Sequence, residues 1–240
     1  MSEAAVQSRT ITQASSNVTS LKVLQVTPQL IVLEYDLLPD TNPGANGDFA
    51  AIWQNTPNIP YNQTPDKTHK IEGSTQHGQF SFVVDLTRNN YIVGYAVGPE
   101  LTAPSQKYGN SCSTAYIPMA PKAHSLKEHE FLAAEPYQTF FSNLTMGIVT
   151  SDLVTFKYEV PTNCRPADNK AWVGLFRGDA SYNNPPEKAV QVTSNEDSGW
   201  MSISSKILFD RKYTLAYFMS GWSDTTKIQT RMAATLSFTG

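Results

Sequence analysis

Charge, cysteine, histidine and long apolar runs are all scarce in this chain of 240 residues. Only 16% of its residues are charged, and 18 Lys+Arg against 21 Asp+Glu give a formal net charge of -3. Neither sign forms a long run. A nucleic-acid or anionic-lipid surface needs clustered positive charge, so no nucleic-acid partner is expected. The two cysteines, Cys112 and Cys164, are too few for a small disulfide scaffold, and their spacing fits no zinc pattern. They read as free thiols. No stretch approaches the roughly 18 apolar residues of a membrane span, and "MSEAAVQSRTITQASSNVTS" lacks the basic start and apolar centre of a secretory signal. The expectation is a soluble, cytoplasmic protein without a transmembrane segment, with a removed leader or non-classical export as the alternative. Without such a signal, the sequons at Asn17, Asn62 and Asn143 carry little weight.

Catalytic signatures are missing too. The chain has no phosphate loop, nucleophile elbow, zinc-protease helix or dinucleotide fingerprint, and only four histidines. His124 and His129 lie five apart, whereas a metal-binding pair on one helix face needs three or four. His69 and His77 flank a turn and read as loop histidines. Asp36, Asp40 and Asp48 lie in "DLLPDTNPGANGD", which offers oxygen ligands for calcium but lacks EF-hand spacing. Its Asp, Asn and Gly suit turns instead. The chain is therefore expected to be no enzyme, with no catalytic residue, no metal and no cofactor.

What is present is a repeat. "LIVLEYDLLPDTNPGANGDFAAIWQN" (Leu30 to Asn55) superposes without gaps on "LVTFKYEVPTNCRPADNKAWVGLFRG" (Leu153 to Gly178), so Tyr35 falls on Tyr158, Phe49 on Trp172 and Trp53 on Phe176. "LTRNNYIVGYAV" likewise matches "LFDRKYTLAYFM", with Tyr91 on Tyr213 and Tyr95 on Tyr217. Coincident aromatic and aliphatic positions over both blocks indicate a duplication. The predicted layout is a flexible N-terminal segment at 1–18, repeat 1 at 19–118, a connector at 119–140 and repeat 2 at 141–240.

Each half reads as strands. "LIVLEYDL" and "LVTFKYEV" alternate, while "DFAAIWQ" and "KAWVGLFR" are short apolar runs bounded by turn residues. No segment carries a sustained 3.6-residue apolar stripe. The best helical candidate is Ser125 to Tyr137, where Ser125 can cap, Glu128 completes a capping box and Pro136 stops the turn. The expected fold is all-β: two tandem immunoglobulin-like antiparallel β-sandwiches with at most one short helix, in the connector.

The order "WVGLF" (Trp172 to Phe176), Gly-containing turn, then Tyr213 and Tyr217 in a Tyr-rich strand resembles the SKICH-type immunoglobulin-like domains. The first half keeps only the outline, with Phe49, Ala51, Ile52 and Trp53 in place of the motif. The resemblance implies an interaction module and carries over no catalytic residue. It is an analogy of fold, from which function does not follow.

Aromatics supply the candidate site. Tyr61, Tyr108, Tyr182 and Trp222 fall in expected loops beside Asn, Gln or Asp, a setting that suits sugar rings or protein hot spots. The competing role for such rings is to close the ends of each sandwich. The first functional expectation is a non-enzymatic binding protein presenting these loop aromatics to a protein or glycan. The alternatives are a self-assembling structural or inclusion-type protein, which could form a homo-oligomer through sheet edges, and a toxin-like protein that engages membranes. Arg177-Gly178-Asp179 spells an integrin-type adhesion signal, yet it aligns with Gln54-Asn55-Thr56. The halves share the strand and not the signal, so the tripeptide reads as turn chemistry.

Overall fold

In the computed structural model the described residues are 14–119 and 137–240, and their regular structure is almost all antiparallel strand. Repeat 1 contains β2 (Ser20–Thr27), β3 (Leu30–Asp36), β4 (Phe49–Gln54), β5 (Lys67–Lys70), β6 (His77–Val83), β7 (Tyr91–Ala96) and β8 (Ser111–Ile117). Repeat 2 contains β10 (Asn143–Val149), β11 (Leu153–Glu159), β12 (Trp172–Arg177), β13 (Lys188–Gln191), β14 (Ser198–Ser204), β15 (Lys212–Phe218) and β16 (Met232–Thr239). Two further strands, β1 (Ala14–Val18) and β9 (Gln138–Phe141), precede the repeats. The helical turn Pro43–Asn46 sits in repeat 1 and not in the connector. The connector's helical candidate, Ser125 to Tyr137, lies outside the described residues except for Tyr137.

The sheets repeat as the sequence does. A three-stranded sheet β2-β3-β6 lies with a five-stranded sheet β5-β4-β7-β8-β9, and β10-β11-β14 lies with β13-β12-β15-β16-β1. In each half a tyrosine of the smaller sheet packs on one of the larger: Tyr35 and Tyr95 have ring centroids 5.7 Å apart, Tyr158 and Tyr217 5.9 Å. A glycine makes room for the first ring of each pair. A Cβ at Gly78 would stand 2.3 Å from the Tyr35 hydroxyl, and one at Gly199 would stand 2.9 Å from the Tyr158 ring.

The first strand of each repeat crosses to the other. β1 pairs with β16, from Ala14 opposite Phe238 to Val18 opposite Ala234. β9 pairs with β8, from Gln138 opposite Tyr116 to Phe141 opposite Ser113. The hinges are also equivalent: the Thr19 amide donates to the Ala233 carbonyl (3.0 Å) and the Ser142 amide to the Cys112 carbonyl (2.7 Å). Residues 14–18 of the expected N-terminal segment and 138–140 of the expected connector are thus sheet strands, while 1–13 lie outside the described residues.

Both faces of each five-stranded sheet are covered. Val173, Leu175, Tyr213 and Tyr217 join a core that runs through both sandwiches. Trp172, Phe176, Ala216 and Phe218 lie on the other face, where Trp172 stacks on Phe218 at 3.8 Å. Leu38 of repeat 1 plugs this second cluster of repeat 2 and is 2% exposed. Burying a leucine there removes apolar surface from water and ties the halves together. Leu38→Ala is expected to cost about 2–5 kcal/mol. Urea unfolding followed by tryptophan emission should show one transition moved to lower urea, because the lost contact belongs to both repeats.

Candidate functional site

The four nominated loop aromatics are not presented as a set. Tyr61 (4% exposed) and Tyr108 (1%) come together, the Tyr108 amide donating to the Tyr61 carbonyl at 3.1 Å, but both rings are core. Tyr108 packs edge-on against Trp53 (5.3 Å) and Phe49 (6.2 Å). Tyr182 and Trp222 also come together, half-buried against the cluster around Trp172 and Phe218. Lys227 Nζ lies 4.2 Å from the Trp222 ring centroid. The rings thus close the outer faces of the larger sheets, the competing role identified from sequence.

Two of them also bridge the repeats. The Tyr61 hydroxyl lies beside the Cys164 thiol of repeat 2 and has no other hydrogen-bond partner, and Tyr182 interacts with Thr41 of repeat 1. These contacts are equivalent under the duplication, since Thr41 aligns with Cys164. Cys112 and Cys164 are free and fully buried. Burial pushes the Cys164 thiol up to about 12, which keeps it protonated and unreactive at neutral pH.

Turn chemistry also accounts for Arg177-Gly178-Asp179. Gly178 takes φ +83° directly after β12, Arg177 pairs with Glu187 (2.7 Å) and Asp179 with Lys212. Of the three aspartates considered for calcium, Asp36 pairs with His77 (3.0 Å), Asp40 is an exposed turn residue at φ 62°, and Asp48 is buried. Among the described residues no three His, Cys, Asp or Glu side chains converge to hold a metal. His69 stacks on Phe80 at 5.4 Å and does not face His77.

Asp48 is where the repeats part. Its side chain enters repeat 1 at the start of β4, 2% exposed, and Oδ1 accepts the Gly98 amide at 2.7 Å while Oδ2 accepts the Tyr95 hydroxyl at 3.1 Å. Gly98 reaches this position at φ +79°, a conformation that suits glycine. Asn110 Nδ2 holds the same loop through the Val97 and Gly98 carbonyls, both at 2.9 Å. Repeat 2 carries Ala171 at the matching place, and the Tyr217 hydroxyl, matching that of Tyr95, has no partner. A sandwich of this type therefore closes without the carboxylate.

Asp48 is among the residues that line a cleft of about 660 Å³ in repeat 1. Phe49, Ile71 and Pro99 give it apolar walls, and Lys70, Glu72 and Glu100 stand around it. The helical turn forms one side: Asn42 Oδ1 accepts the Ala45 amide (3.2 Å) and the Gly44 amide donates to the Gly73 carbonyl (2.9 Å). Burial outweighs the two hydrogen bonds and pushes the Asp48 carboxyl from the ordinary 3.8 up to about 7. A perturbed titratable group bordering a walled cleft is the usual mark of a binding site. The sequence signal that marks it is the mismatch of Asp48 with Ala171 inside an otherwise apolar alignment. No protein-family model and no curated protein sequence matches the chain.

Because the Asp48 pKa is higher folded than unfolded, the native state holds its proton more tightly between pH 3.8 and about 7. Stability from this group is full below the lower value and is lost as pH rises through the upper one. At 1.36 kcal/mol per pKa unit the loss is about 4 kcal/mol. Denaturant titrations of the wild type and Asp48→Asn over this range should diverge with that sign; parallel curves would show an ordinary carboxyl.

Proposed function

We propose that the protein is a non-enzymatic binding protein whose ligand enters the Asp48 cleft of repeat 1. The observation that carries this is the retention of a buried carboxylate where repeat 2 closes the same structure with Ala171. Burying a carboxylate costs free energy, and such costs are characteristically kept at functional positions. The cleft lies within the size range of small-molecule sites. Its apolar walls and bordering carboxylate suit a hydroxylated ring with one apolar face, so a glycan is favoured over a protein ligand.

The loop-aromatic version of this proposal narrows accordingly. Tyr61 and Tyr108 shape the wall of the fold, and only Tyr182 and Trp222 retain partial exposure. Screening the folded protein on a glycan array beside a protein pull-down distinguishes the two ligand classes. Asp48→Ala should fold, as repeat 2 does with alanine there, and should weaken binding at least about tenfold, equivalent to 1.4 kcal/mol. Undiminished binding by Asp48→Ala would remove the cleft from the function.

A further inference from the structure

Sheet edges left open to solvent are natural pairing sites, and folded proteins blunt them with charge, bulges or brevity. Most edges here are blunted. β5 carries Lys67 and Lys70, β13 carries Lys188, β2 carries Lys22, and the register of β2 and β10 is broken by bulges. β1 and β9 are five and four residues long. β6 has seven residues in unbroken register, but Lys67 Nζ donates to the Val83 carbonyl on it at 2.6 Å, and His77 is paired with Asp36.

β14 has none of these protections. Its seven residues, Ser-Gly-Trp-Met-Ser-Ile-Ser, include no charge and no proline. They pair with β11 without a bulge from Ser198 opposite Glu159 to Ser204 opposite Leu153. Among the described residues no strand is hydrogen-bonded to its other side. The exposed side chains are Ser198, Trp200, Ser202 and Ser204, with Trp200 64% exposed at the centre of the row. Repeat 1 carries Gln79 at the position of Trp200 and Gln25 at that of Ile148, which is 61% exposed on β10. Repeat 1 exposes Val83 (62%) at the end of β6, beside the carbonyl that Lys67 covers.

We infer that β14 pairs antiparallel with β14 of a second copy of this chain, fusing two three-stranded sheets into one of six strands. A two-fold axis sets a strand against itself, so charges on it would meet like charges; β14 has none. Beside it, Lys157 and Glu159 neutralise one another at 2.6 Å. With the axis at Met201, Trp200 of each copy faces Ser202 of the other. The Trp200 indole lies back over β11 against Gly147 of β10, where a Cβ would stand 2.8 Å from it, so only small serine side chains stand beside the free edge and the two backbones can meet there. This pairing is independent of the Asp48 cleft, which lies in the other repeat.

Sedimentation velocity of the full-length protein across a wide concentration range tests it. The wild type should form a dimer as concentration rises. Ser202→Lys and Ser202→Glu should each weaken association at least about tenfold, and mixing the two should restore it, which a folding defect could not do. A wild type that stays monomeric, variants that dimerise like the wild type, or a mixture that fails to reassociate would each overturn the inference.

Discussion

The exchange of first strands holds this molecule together. β1 completes the larger sheet of repeat 2 and β9 that of repeat 1, so neither sheet reaches its full width using only its own repeat. Backbone hydrogen bonds carry the link, and they need no particular side chain, which is why a segment as plain as Ala-Ser-Ser-Asn-Val can serve. The hinges are fixed with equal care. Thr19 is 2% and Ser142 1% exposed, and Ser142 Oγ contacts Met219 Sδ at 3.5 Å. Leu38, Tyr61 and Tyr182 then add side-chain contacts between the repeats.

The second constraint is that the larger sheets are apolar on both faces. A sheet exposing Trp172, Phe176 and Phe218 on one side and Leu175 and Tyr217 on the other needs two covers. The smaller sheet supplies one. The loops after β4 and β12, with Tyr61 and Tyr182, fold back to supply part of the other. Aromatic residues in polar loops are here structural lids, and the polar neighbours that suggested a binding face belong to the turns that carry them.

Central features were legible in the sequence because they depend on neighbours along the chain. The alternating Leu30 to Asp36 and Leu153 to Glu159, the apolar runs of β4 and β12, and the tyrosines of β7 and β15 all stand where the repeat alignment put them. β1 and β9 were not legible, since their partners lie more than a hundred residues or a whole connector away and their own residues lack the strand pattern. The burial of Tyr61 and Tyr108 had one available signal. The unbroken apolar run "FAAIW" already implied two-sided burial, and the covering groups had to come from somewhere nearby. Asp48 was noticed as one of three aspartates, but its distinctive character comes from Tyr95 and Gly98, which reach it through β7 and could not be read from the loop alone.

The crossing of β1 and β9 also says what joining the repeats required. The pairs that Ser15 to Val18 make with β16 match those that Gln138 to Phe141 make with β8, and the hinge bond of Thr19 matches that of Ser142. Two separate chains, each one repeat long, would satisfy the same set by lending each other their first strands. In a single chain the halves can differ in sequence: one holds a buried acid at Asp48 and the other an uncharged edge strand, a difference closed to two identical copies.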